Sequence, residues 1–287
     1  MINPYEVWFS NVEISNKLKL KLLKKFEKCE DIWNLKKSDL LKNEIDEKNI
    51  DLILDKNIKL VTQKYINYLE KNKIQLISCN TLEYPTSLKY ISNRPAFLYI
   101  RGKIENLYND CVAIVGSRDA TQYGKYVARK FAKQIADRNI NIVSGLAIGI
   151  DKYAHLGCLD SRIGKTIAVL GTGVLDKEIY PYENRKVFER ILENNGTVVS
   201  EFKLGTKPEK YNFPLRNRII SGLSKKVIVV EAKEKSGSLI TVNYALEQGK
   251  DIYSIPGNIT SKNSLGTNRL ISEGAYILSN INDLFLP

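Results

Sequence analysis

The chain has 287 residues, is 43% apolar and 26% charged, and sets 44 Lys/Arg against 32 Asp/Glu for a net charge of +12. That length suits one large or two modest domains, and that apolar fraction is ordinary for a soluble globular protein. The longest apolar stretch is about VSGLAIGI (143–150), and four scattered cysteines without a CxxC pair accompany a single histidine. A secretory signal, a membrane span, a zinc site and disulfide stapling are therefore not expected, and the cytoplasm is the default location.

Residues 1–72 read as a small helical domain. NKLKLKLLKKFEKC (16–29) has apolar residues at 18, 20, 22, 23 and 26 with lysines between, and DLLKNEID and LVTQKYINYLEKN continue the pattern. Residues 73–110 hold two predicted strands, KIQLISC (73–79) and PAFLYIRG (95–102), read as an extension of the larger domain beyond them. From 111 the pattern alternates. Strands are predicted at 111–117, 141–145, 166–173, 197–202, 227–232, 252–257 and 275–279, with helices at 123–139, 149–162, 184–195, 214–223 and 238–248. Continuous apolar strands alternating with helices imply an α/β fold, a doubly wound and mostly parallel sheet spanning 73–287.

Ligands on such sheets bind beyond the carboxyl ends of the strands. The predicted strands lead, in turn, into Gly116-Ser117-Arg118, Ser144-Gly145, Gly171-Thr172-Gly173, Glu201 with Lys203, and Ser236-Gly237-Ser238. Glycine permits tight turns; repeated at helix starts beside arginines, it also makes a rim for phosphate. The charge is uneven in the same sense. Residues 1–110 carry 19 Lys/Arg against 15 Asp/Glu, residues 111–287 carry 25 against 17, and residues 1–75 contain no arginine. Arginine is the better bidentate phosphate ligand.

FPLRNRIISG (213–222) places Arg216 and Arg218 at a predicted helix start, where the helix dipole disfavours cations. Either an internal carboxylate, Glu201 or Glu231 for Arg218, or an external anion neutralises them. GSRDATQYG is not G-x-G-x-x-G, and no G-x-x-x-x-G-K-[ST] occurs, so a dinucleotide dehydrogenase and a P-loop ATPase are disfavoured and no cofactor is expected. His155 lies on a predicted helix with no partner evident to orient it, and reads as a core or capping residue rather than a catalytic one.

Together GSR (116–118), SGLAIGID (144–151), GTGVLDKEIYPYEN (171–184), SEF (200–202), FPLRNRIISGLS (213–224), EAKEKSGSLIT (231–241), IPGN (255–258) and SLGTNRLISEGA (264–275) form one ordered pattern. Over about 95–280 the sequence strongly resembles the DNA-processing protein A family (DprA, also called Smf). The resemblance implies an extended Rossmann-like domain, single-stranded DNA binding, dimerisation and loading of the RecA recombinase in natural transformation, without catalysis. It places Arg118, Arg216, Asn217 and Arg218 in the DNA pocket. Gly116, Ser117, Gly145, Ser236, Gly237 and Ser238 complete the expected phosphate rim. Arg185, Lys186 and Lys203 are expected to extend it, and Phe213, Tyr180, Tyr182 and Tyr211 are aromatic candidates. By the same analogy Leu265, Leu270 and Ile271 are candidates for a dimer interface.

Departures from the family pattern are visible. Leu215 stands where many relatives are basic, and NVEISNKLKLKLLKKF (11–26) lacks the glycine of a helix-hairpin-helix-like hairpin. Many members continue into a winged-helix-like domain, whereas this sequence ends at Pro287 soon after its last predicted strand. Two alternatives stay open. SGSLIT with Glu247 after it loosely matches the phosphate and ribose motif of nucleotide phosphoribohydrolases, with Glu247 as catalytic carboxylate, and the same pocket suits a nucleotide-sensing interaction module.

Overall fold

Six helices open the chain: α1 (Pro4–Asn11), α2 (Asn16–Phe26), α3 (Cys29–Trp33), α4 (Lys37–Lys42), α5 (Glu47–Leu54) and α6 (Lys56–Lys71). The computed structural model describes residues 2–285. Asn3, Ser15, Asp46 and Asp55 each accept a hydrogen bond from a first-turn N–H, which fixes where four of these helices start. Trp8, Phe9, Leu22, Leu23, Ile32, Leu40, Ile50 and Ile53 point inward and are buried together.

The remaining chain builds one nine-stranded sheet. In chain order come β1 (Ile74–Ser78), α7 (Thr86–Lys89), β2 (Phe97–Gly102), β3 (Cys111–Val115), α8 (Gln122–Ala136), β4 (Asn141–Ser144), α9 (Ile150–Leu159), β5 (Thr166–Val169), α10 (Arg185–Glu193) and β6 (Thr197–Ser200). After these come α11 (Asn212–Leu223), β7 (Lys226–Val229), α12 (Ser238–Glu247), β8 (Asp251–Ser254), α13 (Leu265–Ser272) and β9 (Tyr276–Ile277). The spatial order is β1-β2-β6-β5-β4-β3-β7-β8-β9. All pairs from β6 to β9 are parallel, while β1 and β2 run antiparallel at one end. The expected extension over 73–110 is thus the antiparallel end of the sheet.

Alternation along each strand divides the core. Ala113 and Val115 face a cluster that includes Ile219, Ile220 and Leu223 of α11 and Val242 and Ala245 of α12. Val112 and Ile114 face the opposite cluster, with Val127, Phe131 and Ile135 of α8 and Ile150 and Ala154 of α9. Both faces are covered, which is why CVAIV is apolar at every position. Trp8 and Phe9 of α1 belong to the same cluster as Phe97 and Leu98 of β2, so the helical segment is seated on the sheet.

The chain steps outward from β3 to β6 on one side, then returns through α11 to place β7 on the other side of β3. At such a reversal the loops after the two central strands diverge and leave a crevice. Several strands end earlier than the apolar runs suggest: the run at 166–173 pairs only to Val169, and the glycine-containing segment beyond it forms the rim.

Candidate nucleic-acid interface

The crevice is a cleft of about 400 Å³. The loop after β3 supplies Gly116, Ser117 and Arg118, the start of α11 supplies Phe213, Arg216 and Asn217, and the turn into α12 supplies Ser236, Gly237 and Ser238. These three stretches are far apart in sequence, and they meet because β3 and β7 are neighbours and α11, the crossover from β6 to β7, packs over β3, β4 and β5. The N-terminus of α12 opens into the cleft, with Gly237 at its cap and the Ser238 N–H donating to Ser236 Oγ at 3.4 Å. The N–H groups of Leu239 and Ile240 are taken by the carbonyls of Ser236 and Gly237, so it is the helix dipole that favours an anion at this place.

Two glycines of the rim do different work. A Cβ on Gly116 meets Ile150 at 2.7 Å and the Glu231 carbonyl oxygen at 2.8 Å, so that glycine is required by close packing. Gly237 has φ −61°, accessible to any residue, and a Cβ there meets nothing within 4 Å. Packing within the chain therefore does not require glycine at 237; the absent side chain leaves space at the mouth of the cleft.

Arg118 is exposed and pairs with no carboxylate among the described residues. Its guanidinium carbon stands 5.7 Å from the centroid of the Phe213 ring, within cation–π range. Lys233 and Lys235 line the same cleft. Lys233 is bound to Asp119 at 2.8 Å, an exposed pair of small energetic weight. Four cationic side chains, Arg118, Arg216, Lys233 and Lys235, thus line the cleft together with two carboxylates, Asp119 and Asp151.

Arg216 is only 4% exposed. Its Nη1 donates to the carbonyl of Gly145 at 2.7 Å and to that of Val169, and its Nε donates to Asn217 Oδ1 at 3.2 Å. These bonds cap the carbonyl ends of β4 and β5 and leave Nη2 for the cleft. Burial pushes the guanidinium down to about 10; Asp151 opposes that shift and Arg118 adds to it. It remains a cation at neutral pH. Asp151, near the start of α9, accepts from the Gly145 N–H at 3.1 Å. Burial raises its carboxyl, against the pull of Arg216. His155, one turn further, is fully buried with Nδ1 2.6 Å from Thr166 Oγ1, and burial, reinforced by the Arg216 charge, holds it down at about 3. A neutral, enclosed imidazole bonded to a threonine is a core residue.

The helix containing both arginines begins at Asn212, two residues before the expected start. Pro214 is its third residue, where a missing N–H costs nothing, and Arg216 and Arg218 fall in the second turn. The conflict with the helix dipole that the sequence suggests is therefore small. Arg218 points away from the cleft. Its Nη2 donates to Glu201 Oε2 at 2.6 Å, Nη1 donates to the other carboxylate oxygen, and Nε donates to the Asn93 carbonyl at 2.8 Å. With side-chain exposures of 2% and 8%, this is a buried bidentate pair. Glu231 is occupied elsewhere, accepting from the N–H of Thr121 at 2.9 Å to hold the start of α8.

Other sequence candidates separate from the cleft. Gly145 sits beside it in a small neighbouring recess with Tyr180 and Pro181. Arg185 is tied to Glu189 on α10, and Lys186 is exposed on the same helix; neither lines the cleft. Lys203 pairs with Glu13 of the helical segment and lines a different cavity, as does Tyr211. Leu265 is exposed, while Leu270 and Ile271 are part-buried, on α13 at the β8–β9 end of the sheet. Glu247 lies at the far end of α12 from Ser238, in a groove with Thr86 and Tyr90, so it is not placed to act on a ligand in the cleft. Lys233, Lys235 and Asp151 line the cleft without having stood out in the sequence as ligands. Both lysines lie in EAKEKSGS, a stretch the ordered motifs include, but their alternation with glutamates is that of a solvated charge run and does not single them out as ligands.

The same fold and motifs recur in known proteins. Residues 75–286 match the family model of DNA recombination-mediator protein A. The chain is 42% identical over 212 residues to protein Smf of Escherichia coli K12, covering 74% of this chain and 56% of that protein. The chain thus spans little more than half the length of that relative. Its structure is similar to that of DNA processing protein A from Streptococcus pneumoniae, with a TM-score of 0.78 at 34% identity over 99% of this chain and 97% of that one. It is also similar to DNA processing protein A from Helicobacter pylori, a single-stranded DNA binder, with a TM-score of 0.66 at 30% identity over 74% of this chain and 94% of that one. The ordered motifs, the sheet and these matches agree: the chain belongs to the DNA recombination-mediator protein A family, the DprA/Smf family.

Proposed function

We propose that the chain binds single-stranded DNA in the cleft between the β3 loop and the starts of α11 and α12. The observation that carries this reading is the exposed Arg118, without a carboxylate partner among the described residues, held 5.7 Å from the Phe213 ring in the cleft onto which the N-terminus of α12 opens. Cations track phosphates, and an aromatic face accepts any base, which is the chemistry of sequence-tolerant single-strand binding. Arg216 contributes from the floor of the cleft. Arg218 is left out of the site because its guanidinium is consumed by Glu201.

On this reading the protein is a binding mediator rather than an enzyme. By family likeness it protects incoming single strands and delivers them to the RecA recombinase, as a homodimer in the cytoplasm. The phosphoribohydrolase reading gains nothing from the geometry, since Glu247 and the glycine rim are at opposite ends of α12.

The test is titration of a labelled oligonucleotide at several salt concentrations. With about three or four phosphates neutralised, log K is expected to fall against log salt with a slope of roughly −2 to −3. No binding at low salt, or equal preference for duplex, overturns the reading.

A further inference from the structure

A second cavity, of about 520 Å³, lies between the helical segment and the β6–α11 connection, outside the cleft assigned to DNA. Its floor is apolar, formed by the buried Phe97 and Tyr99 of β2. Tyr211, 70% exposed, stands at its edge. Two amines reach it. Lys19 Nζ donates to the Ser10 carbonyl at 2.7 Å and stands 5.8 Å from the Phe97 ring centroid, and Lys203 pairs with Glu13. A volume of this order accommodates a small organic ligand; Phe97 and Tyr99 give it an apolar floor and Lys203 a cation at the edge, while Glu13 and Glu201 also line it and burial brings Lys19 down to about 7.

The position of this cavity ties it to the first cleft. Tyr211 and Leu215 line it, while Phe213, Arg216 and Asn217 line the first. Side chains four apart share one face of a helix, so the opening turn of α11 separates the two spaces and presents an aromatic residue to each. A helix with its side chains is only about 10–12 Å across, a distance a short strand can bridge. The pair Lys203–Glu13 is half-exposed on both sides, so exchanging the carboxylate for a phosphate costs little.

We infer that this cavity is a second nucleotide subsite, holding the base against Phe97 and Tyr211 and the phosphate against Lys203. The inference rests on the reading of the first cleft as a single-strand site. Its occupant is a nucleotide of the strand that leaves that cleft, or a free mononucleotide, which offers the same chemistry.

Labelled oligothymidylates of increasing length, and thymidine monophosphate alone, distinguish these sources. Wild-type affinity is expected to step upward once the strand spans both spaces. Tyr211→Ala removes that step, a loss of about fivefold to tenfold, without changing the affinity of shorter strands. Glu13→Gln, which frees Lys203, is expected to strengthen the longer strands. Monophosphate binding that Tyr211→Ala abolishes, with no length step, also supports the subsite and identifies the free nucleotide as its occupant. If oligonucleotides bind in an Arg118-dependent way but neither variant changes any length or the monophosphate, the second subsite is refuted and the first survives. If wild type binds no oligonucleotide and no monophosphate, both readings fall together.

Discussion

Arg118 and Phe213 meet across the mouth of the cleft, the guanidinium carbon 5.7 Å from the ring centroid. They come from a loop and a helix far apart in the chain, and the ring face holds the charge at the surface without an internal anion. Arg118→Ala is expected to lower single-strand affinity about tenfold and to make the salt slope shallower by about 0.7, one phosphate contact fewer on a single strand. Arg118→Glu costs more, and Lys24→Glu, on α2, costs little. Fluorescence anisotropy at three salt concentrations measures all three; equal losses would remove Arg118 from the site.

Gly237 offers a cleaner probe of the cleft than any charged residue. Its backbone conformation suits alanine and no neighbour blocks the new methyl group. Gly237→Ala therefore leaves the melting temperature within about a degree or raises it slightly, since glycine costs conformational entropy. Oligonucleotide affinity is expected to fall several-fold, because the methyl occupies space at the helix N-terminus. A variant with unchanged affinity indicates that the ligand does not approach α12.

Arg218 and Glu201 are expected to behave as parts of the core. Removing one member of a buried pair leaves the other uncompensated, at a cost of about 3–5 kcal/mol. Arg218→Met and Glu201→Gln should each lower the denaturation midpoint strongly, and any loss of DNA binding should track the fraction unfolded. Denaturant titrations with and without oligonucleotide separate the two effects. A folded, stable Arg218→Met that cannot bind DNA would return this arginine to the site.

His155 makes stability depend on pH in a predictable direction. Its value is about 3 in the folded chain, against about 6.5 for an ordinary histidine. Between those values the unfolded chain binds a proton that the folded chain refuses, so stability falls as pH drops through that window. The slope is about 1.4 kcal/mol per pH unit for this group. Above about 6.5 the imidazole is neutral in both states and contributes no slope. The difference in unfolding free energy between wild type and His155→Leu, measured at pH 7.5, 5.5 and 4.5, should change in wild type's disfavour as pH falls; a constant difference contradicts the assignment.

The fold was largely legible because a sheet covered on both faces leaves an unusual mark. CVAIV, TIAV and TVVS have no polar side that water requires, and turns come directly after them. The rim was legible for a related reason: Gly116-Ser117-Arg118 and Ser236-Gly237-Ser238 come after strands that the alternation makes parallel neighbours. What side chains do across long separations was not legible. Arg216 and Arg218 are two positions apart in one motif, yet α11 turns one toward the cleft and the other toward Glu201. The pairing of Lys203 with Glu13 links segments 190 positions apart, which no local pattern reveals.

Arg216 holds the carbonyl ends of two adjacent strands with the same group that faces the cleft. A bound DNA strand that pins this guanidinium is expected to hold those two carbonyls, and the strand ends they belong to, more firmly in place. Occupancy of the cleft should therefore slow amide hydrogen exchange at Leu170, whose N–H is bonded to the Val199 carbonyl at 2.9 Å just beyond the clamped Val169. The fold would then act as the transducer of its own ligand, reporting binding at a backbone position that the ligand never touches.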